Sequence, residues 1–230
     1  MQLDLRYDHP WDVTTERARS IQEWLAPLVS SVPLPAPVRT IAGIDVSFPQ
    51  RDLARAAIVV IAFPEQEPVE QATVELPISF PYIPGLLSFR EIPVVLESMR
   101  RLNEMPDVLM CDAQGQAHPR RFGLASHLGV LLDCPSIGCA KSKLTGRHSP
   151  PGEEKGNSTW LYDRDEIIGA VVRTRTRVRP VYVSVGHKID LGTATRLVLA
   201  SALKYRLPEP TRLAHLVAGG AQLVTQGARS

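Results

Sequence analysis

Two aspartates stand in apolar segments where a buried charge has to be compensated. Asp45 interrupts the stretch IAGIDVSF, and Asp112 follows the stretch DVLMC. A charge on a buried strand is costly unless it is paired or bound to a metal ion. For either aspartate alone, capping a turn or the following helix is the common role. Two such carboxylates together predict a shared cation.

Glu91 is the third acidic candidate, because it opens the helical pattern SFREIPVVLESM. The spacing Ser88-x-x-Glu91 by itself favours a capping box, in which the Glu91 carboxylate accepts a hydrogen bond from the Ser88 amide. In the other reading, the three carboxylates surround Mg²⁺ or Mn²⁺ and leave positions open for phosphate and water. Such an ion would neutralise a scissile phosphate and lower the pKa of the attacking water. This second reading predicts phosphodiester hydrolysis.

The remaining polar residues argue against zinc chemistry and add one candidate phosphate contact. The histidines are scattered, at His9, His118, His127, His148, His187 and His215. None forms an HExxH motif or a cluster with cysteine, so a zinc hydrolase is not expected. Lys141 and Lys143 follow a Gly138 turn after a short strand, where an ammonium group could meet a phosphate. Most exposed lysines have no such role.

The elements that would position these side chains begin with three strands. TIAGIDVSF, ARAAIVVIAF and QATVEL are rich in β-branched residues and closely spaced, which predicts an antiparallel meander. Helices over 88–102 and 124–132 then alternate with strands at DVLMC and SIGCA. This alternation adds βαβ units to the meander. The order is that of ribonuclease H-like folds, so we expect an α/β protein with a mixed sheet flanked by helices.

Weaker patterns extend this prediction to both ends of the chain. An opening helix is expected over 12–29, with Asp12 or Thr14 as its N-cap. Residues 163–177 and 180–185 are expected to form another strand pair. Helices should follow over 192–205 and from Pro210 onward. We expect one domain over 1–230, with a flexible tail over about 219–230.

Composition limits the class of protein without indicating its partner. The chain has 230 residues, of which 44% are hydrophobic, and a formal net charge of +2, too small to indicate a nucleic-acid partner by itself. The apolar run over 56–63 is too short to cross a bilayer. The N-terminus has no apolar signal segment, and three cysteines give no disulfide framework. We expect a cytoplasmic protein without membrane contact, and a monomer.

Six long motifs resemble those of the endonuclease V family. They are GIDVSF around Asp45, PYIPGLLSFRE over 81–91, CDAQGQAHPRRFGLASHLG over 111–129, PSIGCAKSKLTG over 135–146, VSVGHKIDLGTA from Val183, and YRLPEPTRLAH ending at His215. They are contiguous and follow the family's order over about residues 40–215. The resemblance implies a ribonuclease H-like fold, Mg²⁺ or Mn²⁺ as cofactor, and nicking of DNA one nucleotide beyond the phosphate 3′ to deoxyinosine.

The resemblance assigns the same acidic residues that burial had indicated. The family's metal-binding carboxylates fall on Asp45, Glu91 and Asp112. A fourth position, linked to metal or water organisation, falls on His215, whose alternative is an ordinary helix-face histidine. Lys141 matches the lysine near the scissile phosphate.

The same resemblance implies contacts with the nucleic acid. Pro81, Tyr82, Ile83 and Pro84 correspond to a strand-separating wedge, with Tyr82 stacking on an unstacked base. Without the resemblance, a proline-fixed turn with a buried tyrosine would be the simpler reading. His118 could contact phosphate or order water. Glycines that would let backbone amides approach a flipped base are Gly85, Gly115, Gly123 and Gly138, although turns explain any one of them equally well.

One departure from the family bears on base selectivity. The family commonly reads D-G-H-G where this chain reads Asp112-Ala113-Gln114-Gly115. The methyl group of Ala113 would tighten or reshape the base pocket.

The resemblance makes a DNA repair endonuclease for deoxyinosine and other deaminated bases the leading hypothesis. The alternatives are an endoribonuclease for inosine-containing RNA and a nucleic-acid-binding protein with impaired catalysis.

Overall fold

The computed structural model describes residues 1–224, which form eight strands and five helices. The strands are β1 (Thr40–Gln50), β2 (Leu53–Ala62), β3 (Pro68–Pro77), β4 (Val108–Cys111), β5 (Ser136–Ala140), β6 (Ser158–Asp163), β7 (Glu166–Val172) and β8 (Val181–His187). The helices are α1 (Thr15–Leu25), α2 (Leu87–Met99), α3 (Leu124–Leu132), α4 (Leu191–Ser201) and α5 (Glu209–Ala218). The α/β class and the mixed sheet are confirmed.

All eight strands belong to one mixed sheet of order β3-β2-β1-β4-β5-β8-β7-β6. β1, β2 and β3 pair antiparallel, as the meander predicted, whereas β4 pairs parallel to β1 and β5 parallel to β4. The parallel register sets Ile44 opposite Cys111. The next residues along these strands, Asp45 and Asp112, therefore reach the same edge of the sheet.

Each face of the sheet is covered by helices over its own apolar core. On one face, α2 and α3 bury residues such as Ile92 and Leu128. On the other face, α4 and α5 bury residues such as Val198 and Leu213. A third cluster joins α1 to Phe89 at the start of α2. The edge of the sheet that carries Asp45 and Asp112 thus lies between α2 on one side and α5 on the other.

The structure differs from the sequence prediction in one missed strand and in several boundaries. Among these, α1 was expected over 12–29 and is Thr15–Leu25, and α2 was expected over 88–102 and is Leu87–Met99. The strand expected over 163–177 is the shorter β7, because Arg164 adopts a φ of 55° in the turn between β6 and β7. β6 itself was missed, since Leu161 is its one buried residue. The helix expected over 192–205 ends at Ser201, and an irregular loop follows it to Pro208.

Both ends of the described chain are held by hydrogen bonds. Thr14 is the N-cap of α1 and accepts from the Arg17 amide at 3.3 Å. At the other end, the Leu223 amide and carbonyl bond to Gln71 at 3.3 and 3.2 Å. Of the tail predicted to be flexible, residues 225–230 lie outside the described residues. No helix within residues 1–224 has both the length and the apolarity to span a membrane.

Candidate metal and nucleic-acid site

Two carboxylates and one imidazole meet at the edge of the sheet where β1 and β4 end. One ligand atom from each of Asp45, Asp112 and His215 lies within 4.8 Å of the other two. Asp45 Oδ2 and His215 Nδ1 are 2.7 Å apart. The Asp45 and Asp112 side chains are 14% and 6% exposed, whereas His215 is 56% exposed. The group offers oxygen and nitrogen ligands with one side open to solvent, as a catalytic cation site requires.

Glu91 borders this group without belonging to its closest set. Glu91, Asp45 and Asp112 share the wall of a cavity of about 10 Å³, close to the smallest void that holds one water molecule. The pKa of Glu91 is raised to about 8, by burial first and then by the charges of Asp45 and Asp112. The three carboxylates are thus close enough to repel one another. A divalent cation bound among them would relieve this repulsion.

The alternative role for Glu91, a capping box with Ser88, is wrong. The N-cap of α2 is Leu86, so Ser88 lies inside the first turn of the helix. Its hydroxyl is 3.0 Å from Nδ1 of the buried His127 instead. The acidic group therefore gains Glu91 as a neighbour rather than losing it to a helix cap.

Lys141 follows β5 and forms an ion pair with Asp112 at the edge of the acidic group. Burial raises the pKa of Asp112, and the neighbouring Lys141 ammonium opposes this rise. The lysine is 38% exposed, so its charge remains accessible to a phosphate. Gly138, which the sequence placed in a turn, lies within β5.

Arg206 holds the backbone that carries Lys141. Its Nη2 donates to the carbonyl of Lys141 at 2.5 Å and to the carbonyl of Pro180 at 2.8 Å. Thr174 in turn donates its hydroxyl to the Arg206 carbonyl at 2.5 Å. The sequence analysis did not single out Arg206, although it lies in the motif YRLPEPTRLAH. These bonds link the loop before α5 to the lysine.

If Lys141 acts in the chemistry of this site, we expect Arg206→Gln to slow that reaction about 10- to 100-fold, the usual effect of losing a residue that orients a ligand. The loss should fall on the single-turnover rate rather than on KM, because Lys141 would remain but lose its fixed position. Arg206→Lys should recover part of the rate. Arg147→Gln, at an exposed arginine on the loop after β5, is the matched control. Equal losses in both variants would contradict this role.

A cavity of about 400 Å³ joins the acidic group to the loop before α2. Asp45, Asp112 and Lys141 line one part of it, and Tyr82, Ile83, Pro84 and Gly85 line another. Its volume lies in the range of pockets that enclose small ligands. Three of the four predicted wedge residues therefore share one connected space with Gly85 and with Asp45, Asp112 and Lys141.

Tyr82 projects into solvent from this loop. Its side chain is 69% exposed, whereas Ile83 is half-buried against the cluster around α1. Pro81 and Pro84 are exposed on either side of these two residues. The reading of a proline-fixed turn with a buried tyrosine is therefore wrong, and the ring is free to stack against a base.

The end of the wedge loop is fixed through one carbonyl oxygen. The Gly85 carbonyl accepts from Gln22 Nε2 at 3.0 Å, from His118 Nε2 at 3.0 Å and from Arg120 Nη2 at 2.8 Å. Arg120 Nε also donates to Gln22 Oε1 at 2.6 Å. Gly85 itself has a φ of +79°, a conformation that favours glycine. Gln22, which the sequence analysis missed, both lines the cavity and clamps its rim.

His118 is neutral in this arrangement and both its ring nitrogens are used. Nδ1 accepts from the Arg120 amide at 3.2 Å, so Nε2 carries the proton that it donates to Gly85. Burial, reinforced by Arg120 and Arg121, lowers the pKa of His118 to about 4. His118, predicted to contact phosphate or order water, holds the end of the wedge loop and also lines the large cavity.

This lowered pKa predicts a loss of stability in acid. Above pH 6.5 neither the native nor the unfolded chain protonates His118; between pH 6.5 and about 4 the unfolded chain does so first. The free energy of unfolding should therefore fall as pH falls through this window, by about 3 kcal/mol at most from His118. His118→Gln, which can still donate to Gly85, should flatten the decline in urea titrations. An unchanged slope would contradict a buried neutral His118.

The remaining predicted glycines divide into two groups. Gly123 lines the cavity, as does Gly85. Gly115 and Gly138 are not among its lining residues: a Cβ at Gly115 would meet the Val185 backbone, and one at Gly138 would meet the Gly115 backbone. Close packing of the loop after β4 against neighbouring strands explains these two glycines.

Ala113 and Gln114, where the chain departs from the family pattern, both line the large cavity. The Ala113 methyl group also borders the small cavity between the carboxylates. Gln114 Nε2 donates to the Ser142 carbonyl at 2.8 Å, which ties the loop after β4 to the loop after β5. The departure therefore affects the wall of the large cavity while leaving the acidic group in place.

Gly43 explains how α5 comes close enough to bring His215 to Asp45. A Cβ at this position of β1 would overlap the backbone of Pro210 in the first turn of α5. The sequence analysis missed this residue, although a glycine inside the otherwise apolar strand IAGIDVSF signals close backbone approach.

The chain matches the family model described as Endonuclease V over residues 25–216. It is 50% identical to the endonuclease V of Roseiflexus sp. (strain RS-1) over 216 residues, which cover 94% of this chain and 97% of that protein. A crystal structure of endonuclease V from Streptomyces avermitilis is 42% identical, with a TM-score of 0.86 over 91% of this chain and 93% of that one.

A second solved structure carries a nucleic acid. It is endonuclease V of Ciona intestinalis in complex with a 24mer DNA containing an inosine followed by a ribo-adenosine. That protein is 29% identical to this chain, with a TM-score of 0.77 over 89% of this chain and 95% of that one.

Proposed function

The chain belongs to the endonuclease V family, and from this premise we propose that it is a DNA repair endonuclease for deaminated bases, deoxyinosine above all. It hydrolyses the second phosphodiester bond 3′ to the deaminated base. Water adds to phosphorus, the bond from phosphorus to the 3′ oxygen breaks, and that oxygen takes up a proton. The products are a 3′-hydroxyl and a 5′-phosphate.

The continuity of the large cavity carries this proposal. A flipped base entering between Gly85 and Gly123 lies in the same space as Asp45, Asp112 and Lys141. Tyr82, at the rim, occupies the gap that the base leaves in the stack. Base recognition and bond cleavage thus take place in one connected site, which suits a strand that is cut close to the recognised base.

Asp45, Asp112, Glu91 and His215 are the proposed ligands of a divalent cation, Mg²⁺ or Mn²⁺. When bound, the cation supplies positive charge to the scissile phosphate and acidifies the attacking water. Glu91 lines the same small cavity as Asp45 and Asp112 and would complete the carboxylate set around the cation. Lys141, which is paired with Asp112 in this structure, would be available to contact a phosphate oxygen when Asp112 holds the cation.

The test is a nicking assay on end-labelled duplexes that differ at one base. A strand with a single deoxyinosine should be cut, and the same strand with deoxyadenosine or deoxyguanosine at that position should remain intact. Cutting should require Mg²⁺ or Mn²⁺ and should stop with EDTA. A polymerase should extend the 3′-hydroxyl product. An intact deoxyinosine strand in the presence of both cations would contradict the proposal, and binding without cutting would favour an impaired enzyme.

Inosine-containing RNA is the second candidate substrate. The nucleic acid bound by the Ciona intestinalis relative carries a ribo-adenosine after its inosine, so that protein accommodates a ribonucleotide beside the recognised base. Matched DNA and RNA strands of one sequence, each with a single inosine, would separate the two candidates by their ratio of kcat/KM. A kcat/KM for the RNA strand more than about 10 times that for the DNA strand would identify inosine-containing RNA as the preferred substrate.

A further inference from the structure

Tyr205 is an exposed aromatic residue on the side of α5 that carries His215 towards Asp45 and Asp112. The proposed function assigns this tyrosine no role. It lies in the irregular loop between α4 and α5 and is 43% exposed. One face of its ring is covered by the guanidinium group of Arg212, whose Cζ is 4.6 Å from the ring centroid. The ring therefore has a fixed support on one face and is partly open to solvent.

The support under the ring is itself held in place. Arg212 donates to both carboxylate oxygens of Glu209, from Nε at 3.0 and 3.1 Å and from Nη2 at 2.6 Å. Two-point bonding of this kind restricts the guanidinium plane. The ammonium of Lys204 lies 6.0 Å from the same ring centroid. An aromatic face surrounded by positive charge suits a base attached to a phosphate backbone.

Two neighbours locate Tyr205 at the edge of the acidic group. Arg206, the next residue, binds the carbonyl of Lys141. Arg212 precedes His215 by three positions in α5, so their side chains are neighbours on the helix surface. The ring thus lies on the α5 side of the catalytic group. The base cavity lies on the α2 side, where Leu87 and Ser88 line it.

We propose that Tyr205 is a stacking platform for the nucleobase immediately 3′ to the cut. The inference rests on the proposed function, because that function sets the direction of the strand. The deaminated base occupies the cavity on the α2 side, and the cut bond lies 3′ to it at the carboxylates. The strand that continues past the cut therefore arrives at the α5 side, where Tyr205 meets its first base.

A cycle of protein and substrate changes tests this contact. The substrates are single strands with one deoxyinosine, so that removing a base disturbs no base pair. In one of them a tetrahydrofuran residue replaces the second nucleotide 3′ to the deoxyinosine. Tyr205→Ala should raise KM about 5- to 20-fold on the intact strand and leave kcat within about twofold, because stacking is present before and during reaction.

The decisive result is that the effects of Tyr205→Ala and of removing the base on KM do not add. On the strand that lacks the base, wild-type protein should already show the higher KM, and Tyr205→Ala should raise it less than about twofold further. Tyr205→Phe keeps the ring and should match wild type on both strands. Trp160→Ala, at an exposed aromatic residue of β6, is the matched control, and its effect should be the same on both strands.

Equal effects of Tyr205→Ala on the two strands would overturn the platform. The same cycle measured as binding affinity by fluorescence anisotropy separates this failure from failure of the proposed function. If the deoxyinosine strand is nicked but Tyr205→Ala and removal of the base act independently, the proposed function is supported and the stacking platform is excluded. Coupling in the affinities without nicking supports the platform and removes the function. Thermal unfolding of each variant checks that the fold is retained.

Discussion

Asp45→Asn is expected to reduce nicking of a deoxyinosine duplex by about 10³-fold or more while leaving affinity for the duplex within a few-fold. Asparagine keeps the shape of the side chain and its bond to His215, but it removes the negative charge. The remaining ligands would then hold the cation more weakly. With less cation bound, the negative charge that develops on the phosphate would be stabilised less. In the proposed function the base is recognised in the large cavity, so affinity should not depend on that charge.

The measurement is a single-turnover nicking rate paired with anisotropy in Ca²⁺, which supports binding through oxygen ligands. Asp52→Asn, at an exposed aspartate in the turn between β1 and β2, is the control and should keep the wild-type rate. His215→Asn should cost less than Asp45→Asn, because the imidazole is more than half exposed. A rate for Asp45→Asn within about tenfold of wild type would exclude Asp45 as an essential ligand.

The positions of Asp45 and Asp112 could be predicted because both signals are local. Each aspartate interrupts or ends a run of apolar residues, and the parallel pairing of β1 with β4 then brings two such ends to one edge. The ribonuclease H-like class followed from the order of the same segments. His215 needed the motif resemblance, because an exposed histidine on a helix gives no signal of its own.

The supports of the site could not be predicted, because each depends on a partner far away in the chain. Gln22 and Arg120 meet the Gly85 carbonyl only after α1 has packed beside α3. Arg206 reaches Lys141 across 65 positions. Backbone carbonyls accept these bonds, and a sequence pattern carries no information on which carbonyl is free. Such contacts follow from packing, which only the folded chain defines.

For Glu91, a local sequence rule predicted a contact that the structure does not contain. Its spacing from Ser88 satisfied a capping rule, yet α2 begins at Leu87 and the Ser88 hydroxyl lies beside His127. Leu86, the N-cap of α2, is buried in the cluster that contains Phe89, and this burial outweighs a cap of about 1 kcal/mol. The carboxylate that the cap would have used is then left near two others.

Glu91→Gln is expected to stabilise the protein in EDTA and to weaken its response to Mg²⁺. Native Glu91 has a pKa of about 8, above its unfolded value of 4.5. Between these values the unfolded chain releases a proton that the native chain retains, so stability falls as pH rises and the full penalty applies above about pH 8. Glutamine removes the charge and with it the penalty.

The expected gain is on the order of 2 kcal/mol at pH 8, after allowance for solvent around a partly exposed side chain, or about 4–8 °C in Tm. It should shrink towards zero at pH 4.5. Mg²⁺ should raise the Tm of wild-type protein far more than that of Glu91→Gln, because a ligand that binds only the native state stabilises it by mass action. Glu97→Gln, in the same helix and paired with Arg100, should show neither effect. A lower Tm for Glu91→Gln in EDTA at pH 8 would mean that Glu91 stabilises the metal-free fold, and the crowded carboxylates would then lose their role as a cation site.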